Sequence, residues 1–146
     1  MNEKQVTQRR VSGLDWMLRD LAATVPCVQH IVVLSSDGLC IAQHGDRRDS
    51  SERLAAAASG VKSLAQSIAG EFARRPEPDE GEIRMVLMEL NGGFFYLMSA
   101  GARSYLAVTT TDEVDPGMVG NRMRDLVQRI GDHLSTGART PEQAAP

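Results

Sequence analysis

Apolar residues recur with helical spacing through the middle of the chain, over residues 51–75. They form one stripe of the kind that a helix packs against a sheet: Leu54, Ala58, Val61, Ala65, Ile68 and Phe72. Small residues occupy the opposite side at steps of three and four: Ala56, Gly60, Ser63, Ser67 and Gly70. Glycines and serines in a helix interior together cost about 3 kcal/mol relative to alanine. The close approach of a second helix would explain why they occur here.

The segments on either side show alternating helix and strand patterns. A first helix is predicted from a cap at Ser12 to Pro26. Asp37-Gly38 predicts a hairpin between strands 28–35 and 39–44, and Asp49 with Glu52 has capping-box spacing for the central helix. Three further strands are predicted at 82–91, 94–100 and 104–110, and a last helix follows, capped by Asp115 before Pro116.

The predicted order is therefore α-β-β-α-β-β-β-α. The short hairpins indicate a mainly antiparallel five-stranded sheet. Strand 82–91 is apolar on both sides, with Ile83, Met85 and Leu87 on one and Val86, Met88 and Leu90 on the other. Both faces of the sheet should thus be covered by helices, in a three-layer α/β (α+β) sandwich. We expect a flexible leader over residues 1–11, one domain over 12–135 and a disordered tail over 136–146.

The small-residue side of the central helix favours association with a second copy of the chain. An exposed edge as apolar as strand 82–91 also invites pairing with its counterpart in another copy. We therefore predict a homodimer with these interface residues: Ala56, Gly60, Ser63, Ser67, Gly70, Met85 and Leu87. Contacts with the sheet and the second copy should leave the flank of Ser59, Lys62 and Gln66 free for another partner.

Composition excludes several classes of protein. The net charge is −3, and no basic stripe accompanies aromatic residues, so we expect no nucleic-acid partner. No apolar run approaches the roughly 20 residues that span a bilayer. We therefore expect a cytoplasmic protein without direct membrane insertion.

The sequence shows no clear catalytic or metal-binding motif. His30, His44 and His133 lie apart, without metal-ligand spacing, and no serine lies in a nucleophile-elbow motif. Asp79, Glu80 and Glu82 form either a solvated connection or a weak cation site. We expect no catalytic residues, no cofactor and no metal, and hence no enzyme.

Two further features have alternative interpretations. Arg47 and Arg48 precede the central helix and are either surface cations or an arginine finger for a GTPase. Trp16 lies off the apolar stripe of the first helix and is either edge packing or a partner anchor.

Four segments carry a family resemblance: Leu14-Asp15-Trp16-Met17-Leu18, Val33-Leu34-Ser35-Ser36-Asp37-Gly38-Leu39, Leu54-Ala55-Ala56-Ala57-Ala58-Ser59-Gly60 and Gly92-Gly93-Phe94. With these four segments in this order, the chain resembles the Roadblock/dynein light chain family from about residue 14 to residue 134. It is most similar to the bacterial branch encoded beside small Ras-like GTPases, in gene clusters called conservons.

The resemblance implies a homodimer whose sheets join edge to edge and whose long helices lie side by side. It also implies a small Ras-like GTPase as partner, with Ser59, Lys62 and Gln66 facing it, and a histidine-kinase-like sensor among the conservon neighbours. One relative stimulates its GTPase by repositioning the GTPase's own residues, without an arginine finger. The function expected is a non-enzymatic, GTPase-regulating adaptor. The alternative from another class is a small-molecule sensor of PAS or longin-like type, which would need a ligand pocket.

Overall fold

A computed structural model describes residues 3–45, 48–72, 83–101 and 103–138 of the chain. Its eight elements follow the predicted order: α1 (Glu3–Thr24), β1 (Val28–Ser35), β2 (Cys40–His44), α2 (Arg48–Phe72), β3 (Val86–Leu90), β4 (Gly93–Ser99), β5 (Ser104–Thr111) and α3 (Pro116–Ala138). The strands form one antiparallel sheet in the order β2-β1-β5-β4-β3. The predicted α+β class and five-stranded sheet are confirmed.

Each face of the sheet is covered by a different helical layer. On one face, Ile31, Val33 and Val108 belong to a core with Leu18 of α1 and Met123 of α3. Since side chains alternate along a strand, the neighbouring residues point to the other face. There, one cluster packs beneath α2: Val32, Leu34, Ala55, Ala58, Leu97 and Ala107. The molecule is therefore the three-layer sandwich that the sequence predicts, with β2 and β3 at the two edges.

Turn and cap chemistry explains where several elements begin and end. Gly38 and Gly92 have φ of +89° and +98°, the left-handed region that glycine adopts without steric cost, and they close the β1–β2 and β3–β4 hairpins. Asp115 Oδ1 accepts a hydrogen bond from the amide of Gly117 at 3.1 Å, and α3 begins at Pro116. The predicted cap and first residue of α3 are thus confirmed.

Two helix starts differ from the sequence prediction. The helix α1 begins at Glu3, so Ser12 lies inside it and is not its cap. The segment before Ser12 is rich in Glu, Lys, Gln and Arg, which are good helix formers without an apolar stripe. The helix α2 begins at Arg48, so Asp49 lies in its first turn, where a carboxylate favours the positive end of the helix dipole, rather than before it.

The edge strand β3 is shorter than predicted. It begins at Val86 rather than at residue 82, so the strand alternation does not extend back to Ile83. Ile83 is buried in the cluster beneath α2 together with Val86, whereas Met85 packs on the α1–α3 side. The prediction that Ile83 shares a face with Met85 is therefore wrong. Residue 82 itself lies outside the described residues.

Candidate functional site

The small residues of α2 lie on the side of the helix that faces away from the sheet. Ala56, Gly60, Ser63, Ser67 and Gly70 are all exposed. The serine hydroxyls donate back to their own helix, Ser63 Oγ to the Ser59 carbonyl at 3.1 Å and Ser67 Oγ to the Ser63 carbonyl at 3.2 Å. A Cβ on Gly60 or Gly70 would meet nothing within 4 Å. The outer face of α2 is thus smooth, and its described serine hydroxyls are already bonded.

The apolar stripe of α2 is buried only in part. Leu54, Ala58, Val61 and Ala65 pack on the sheet as predicted. Ile68 is 59% exposed and Phe72 is 79% exposed, so their predicted burial is wrong for the chain by itself. The reason is geometric, because α2 crosses β1, β2 and β5, and its last turns lie beside residues 83–86 instead.

An open, largely apolar groove runs between the end of α2 and the start of β3. Its volume is about 460 Å³, and its walls include Ile68, Phe72, Ile83 and Val86. Exposed Leu64 lies on the same side of α2 as Ile68, and Leu87 and Leu90 are exposed on β3. We call the exposed set Leu64, Ile68, Phe72 and Leu90 the apolar flank. Leu87 is not part of it, because side chains alternate along β3 and Val86 and Met88 face α2. The sequence analysis did not include Leu64, which lies between the apolar stripe and the small-residue side of α2. Its position four residues before Ile68 could have indicated that the two side chains share one side of the helix.

The two predicted interface residues of the β3 region differ in environment. Met85 lies against α3, since its terminal methyl is 2.9 Å from where a Cβ of Gly120 would lie. Leu87 is paired with Tyr96 in the sheet and is exposed. Of these two residues, Leu87 is therefore the one whose side chain is exposed at the edge strand.

The flank of Ser59, Lys62 and Gln66 faces the β1–β2 turn and β5. Lys62 Nζ donates to the Ser36 carbonyl at 2.7 Å and lies 5.7 Å from the centroid of the Tyr105 ring. Ser59 Oγ donates to the same carbonyl at 3.4 Å, and Gln66 Nε2 lies 3.4 Å from the Tyr105 hydroxyl. The interpretation that packing within the domain leaves this flank free is wrong for Lys62, whose ammonium is already bonded.

The turn under Lys62 is a small polar network. The Ser35 hydroxyl donates to the Asp37 carboxylate and accepts a hydrogen bond from the amide of Leu39 at 3.1 Å. The Ser35 hydroxyl chiefly, and then a backbone hydrogen bond and the positive charge of Lys62, hold the pKa of Asp37 below its ordinary value. The carboxylate is therefore ionised at neutral pH and offers its charge to solvent.

Trp16 lies on the opposite layer and is 59% exposed. The Arg129 guanidinium stands 5.6 Å from the centroid of its ring and forms an ion pair with Asp20 at 3.3 Å. Such an exposed pair contributes about 1 kcal/mol or less. The contact joins α1 to α3, and Trp16 belongs to neither core cluster.

The described residues offer little catalytic or metal chemistry. No three His, Cys, Asp or Glu side chains within them are grouped to hold a metal ion. His30 Nδ1 lies 3.3 Å from the Thr109 hydroxyl across the sheet. The candidate residues Arg47, Asp79, Glu80 and Glu82, and the side chain of Arg48, lie outside the described part. None of the described helices is apolar over a length that could cross a bilayer.

Comparison with known proteins gives consistent matches. The sequence profile of the Roadblock/LC7 domain matches residues 14–110. A Roadblock/LC7 domain structure from Streptomyces avermitilis is 35% identical, with a TM-score of 0.75 over 83% of this chain and 97% of that one. MglB from Myxococcus xanthus is 15% identical, with a TM-score of 0.70 over 97% and 98% of the two chains, and therefore shares the fold. No similar sequence was found among curated proteins.

Proposed function

Because the chain belongs to the Roadblock/LC7 domain family, we propose that it is a cytoplasmic, non-enzymatic adaptor that forms a homodimer and regulates a small Ras-like GTPase. The dimer rests on the geometry of the apolar flank. The GTPase partner rests on the family, whose bacterial branch is encoded beside such GTPases.

The apolar flank is the single observation that carries the dimer. Monomeric proteins rarely expose a row of large apolar side chains, such as Leu64, Ile68 and Phe72 at steps of four along α2, without using it as an interface. Leu64, Ile68 and Phe72 project from α2 beside the edge strand β3, whose outer backbone groups have no partner strand within the described residues. One occupant satisfies both features, namely a second copy of the chain.

In the proposed dimer, β3 pairs with β3 of the second copy and continues the sheet. The two α2 helices then lie side by side above the joined sheets, and Leu64, Ile68 and Phe72 of each are buried between them. Ala56, Gly60, Ser63, Ser67 and Gly70 let the helices approach closely, while Met85 and Leu87 border the strand pairing. The contact should bury at least about 1,600 Å² in total.

We propose that the GTPase docks across the platform formed by the two α2 helices. Ser59, Lys62 and Gln66 should face the GTPase, because these side chains are short or polar and so suit a transient, wet interface. One GTPase on the two-fold axis would give one partner per dimer, as the family resemblance implies. Regulation would come from reshaping the switch segments of the GTPase.

The dimer is tested by light scattering at micromolar concentration. Wild type is expected to have the mass of two chains. Ile68→Glu places a charge in the apolar flank and should yield a monomer, since an unpaired buried charge is strongly disfavoured. Trp16→Glu is the matched control, because Trp16 and Ile68 are both 59% exposed, and it should remain a dimer. A monomeric wild type, or monomers from both variants, would contradict the proposed interface.

The partner is tested by titrating the dimer with the Ras-like GTPase encoded beside it, loaded with GDP or with a non-hydrolysable GTP analogue. Binding to one nucleotide state, and a changed rate of GTP hydrolysis by the GTPase, are expected. The absence of binding in both states would refute the platform while leaving the dimer intact.

A further inference from the structure

The edge strand β3 has an apolar groove at its first residue and a protruding apolar side chain at its last. Val86 forms one wall of the groove, together with Phe72 of α2. Leu90 is 61% exposed on the same side of the sheet, because side chains alternate along a strand and Val86 and Met88 both face α2. The β4 residue paired with Leu90 is Gly93, which has no side chain to cover it. Both the groove and the leucine are therefore open in the single chain.

Leu90 cannot fill the groove of its own chain. Leu90 and Val86 are the two ends of β3, and a strand rises about 3.3 Å per residue, so they lie about 13 Å apart. In a two-fold antiparallel pairing of β3 with β3, however, the end of one strand comes opposite the start of the other. A second copy of the chain is therefore the partner that can bring a leucine to the groove.

The layers of the proposed dimer restrict how its two β3 strands can be aligned. Directly opposed residues of an antiparallel pair point to the same face of the sheet. Both α2 helices lie on one side of the joined sheets, so a residue that faces α2 must be opposite a residue that faces α2 in the second copy. Because a shift by one residue moves every side chain of a strand to the other face, only shifts by two residues keep this match.

One of the allowed alignments pairs the whole strand. With Met88 opposite its own counterpart, all five residues of β3 are paired, and Leu90 lies opposite Val86 of the second copy. A slide by two residues in either direction leaves only three of the five paired. In one of these directions, Glu89 would also lie opposite the second Glu89, where like charges repel. The alignment centred on Met88 is therefore favoured.

We infer that Leu90 of each copy fills the groove of the other copy, while Met88 meets its counterpart on the two-fold axis. This inference rests on the proposed dimer and specifies how it packs. Directly opposed side chains have Cβ atoms about 5 Å apart, so Leu90 contacts Val86 of the second copy and, beyond it, Phe72. The two-fold symmetry repeats this insertion, and each dimer thus has two leucine anchors.

The alignment is tested by cysteine cross-linking of the folded protein, with diamide as the oxidant. In Met88→Cys, the two thiols should form a disulfide, because opposed Cα atoms lie about 4.5–5.5 Å apart. Leu87→Cys is the matched control, since its counterpart lies diagonally at about 7–8 Å and should cross-link at least about tenfold more slowly. Wild type, which contains Cys27 and Cys40, gives the background. Equal or faster cross-linking of Leu87→Cys would overturn the inference, and so would a Met88→Cys variant that stays at background.

Leu90→Ala tests the anchor. Each dimer loses two leucine side chains, so its dissociation constant should rise about a hundredfold, roughly tenfold for each truncated anchor. Leu39→Ala is the matched control, because Leu39 is 66% exposed and precedes β2 at the other edge of the sheet, and it should dimerise as wild type does. Both side chains are exposed in the single chain, so circular dichroism should show an intact fold. An unchanged dissociation constant for Leu90→Ala, or an equal rise in both variants, would overturn the inference.

A double-mutant cycle tests where Leu90 packs. If it contacts Phe72 of the second copy, the effects of Leu90→Ala and Phe72→Ala on the dissociation constant should not multiply, and the double variant should fall short of the product by at least about fivefold. Leu64→Ala gives the control cycle, because Leu64 is exposed on α2 but does not line the groove, and its effect should multiply with that of Leu90→Ala. Effects that multiply in the Phe72 cycle would overturn the inference.

Failure of the proposed dimer would look different. A wild-type chain with the mass of one copy would refute the dimer and this inference together. If wild type is a dimer but Met88→Cys does not cross-link and Leu90→Ala dimerises normally, the inference alone fails.

Discussion

Gly93 lies directly against the backbone of Thr110, since a Cβ on Gly93 would be 2.0 Å from the Thr110 carbonyl oxygen. Gly93 is the first residue of β4 and pairs with Leu90 to close the β3–β4 hairpin. Its lack of a side chain therefore allows β5 to approach and keeps edge strand β3 in register.

Gly93→Ala is expected to destabilise the domain by about 3 kcal/mol, because the new methyl group meets backbone that cannot rotate away. Urea unfolding measures the change. Gly117→Ala is the matched control, since a Cβ there would be 3.5 Å from Asp115 Oδ1, an ordinary contact. If Gly93→Ala were as stable as wild type, β4 and β5 could move apart to accommodate the methyl group with little loss of free energy of unfolding.

Asp115 caps α3, and its removal should be measurable. Asp115→Ala loses the hydrogen bond to the Gly117 amide and should lower the free energy of unfolding by about 1 kcal/mol. Glu113→Ala removes a nearby exposed carboxylate and should change it far less. If both variants lost a similar amount of free energy of unfolding, the effect would come from the change in net charge and not from the cap.

Tyr96 should make the domain less stable at alkaline pH. Burial raises the pKa of Tyr96 above its ordinary value of 10.0, against a smaller opposing effect of its hydrogen bond with Thr110. A group whose pKa is higher in the folded state contributes stability that is complete below its unfolded pKa. That contribution is lost as pH rises through the folded pKa. The free energy of unfolding should thus decline above about pH 10.

Tyr96→Phe should remove this part of the decline. At pH 8 it should also cost about 1 kcal/mol, since the 3.3 Å contact with the Thr110 hydroxyl is lost. Tyr105→Phe leaves Tyr96 in place and should keep the wild-type decline. Urea titrations between pH 8 and pH 11 check both variants. If the free energy of unfolding of Tyr96→Phe declined with pH as steeply as that of wild type, groups other than Tyr96 would cause the decline.

Local signals in the sequence predicted the fold well. Asp37-Gly38 fixes a hairpin through backbone conformation, and Asp115-Pro116 fixes a helix start, so both predictions needed only neighbouring residues. The start of α1 was missed because its first turns are polar and carry no apolar period.

The parts of the site that were missed depend on distant residues. The bond from Lys62 to the Ser36 carbonyl joins positions 26 apart in sequence, and no periodicity reveals it. The exposure of Ile68 and Phe72 depends on where the sheet ends beneath α2, and the helix pattern alone looks continuous there. Burial on the sheet and burial by a second copy select the same residue types, so the sequence did not separate them.

The outer face of α2 allows one substitution to test its predicted role in the dimer. A Cβ on Gly60 would meet nothing within 4 Å, so Gly60→Leu should fold and have the higher helix propensity of leucine. In the proposed dimer, the larger side chain should push the two α2 helices apart and raise the dimer dissociation constant at least about tenfold. Analytical ultracentrifugation measures this, with Gln128→Leu on the exposed side of α3 as control. If Gly60→Leu dimerises normally but loses the GTPase, the small residues face the GTPase and the apolar flank alone holds the dimer.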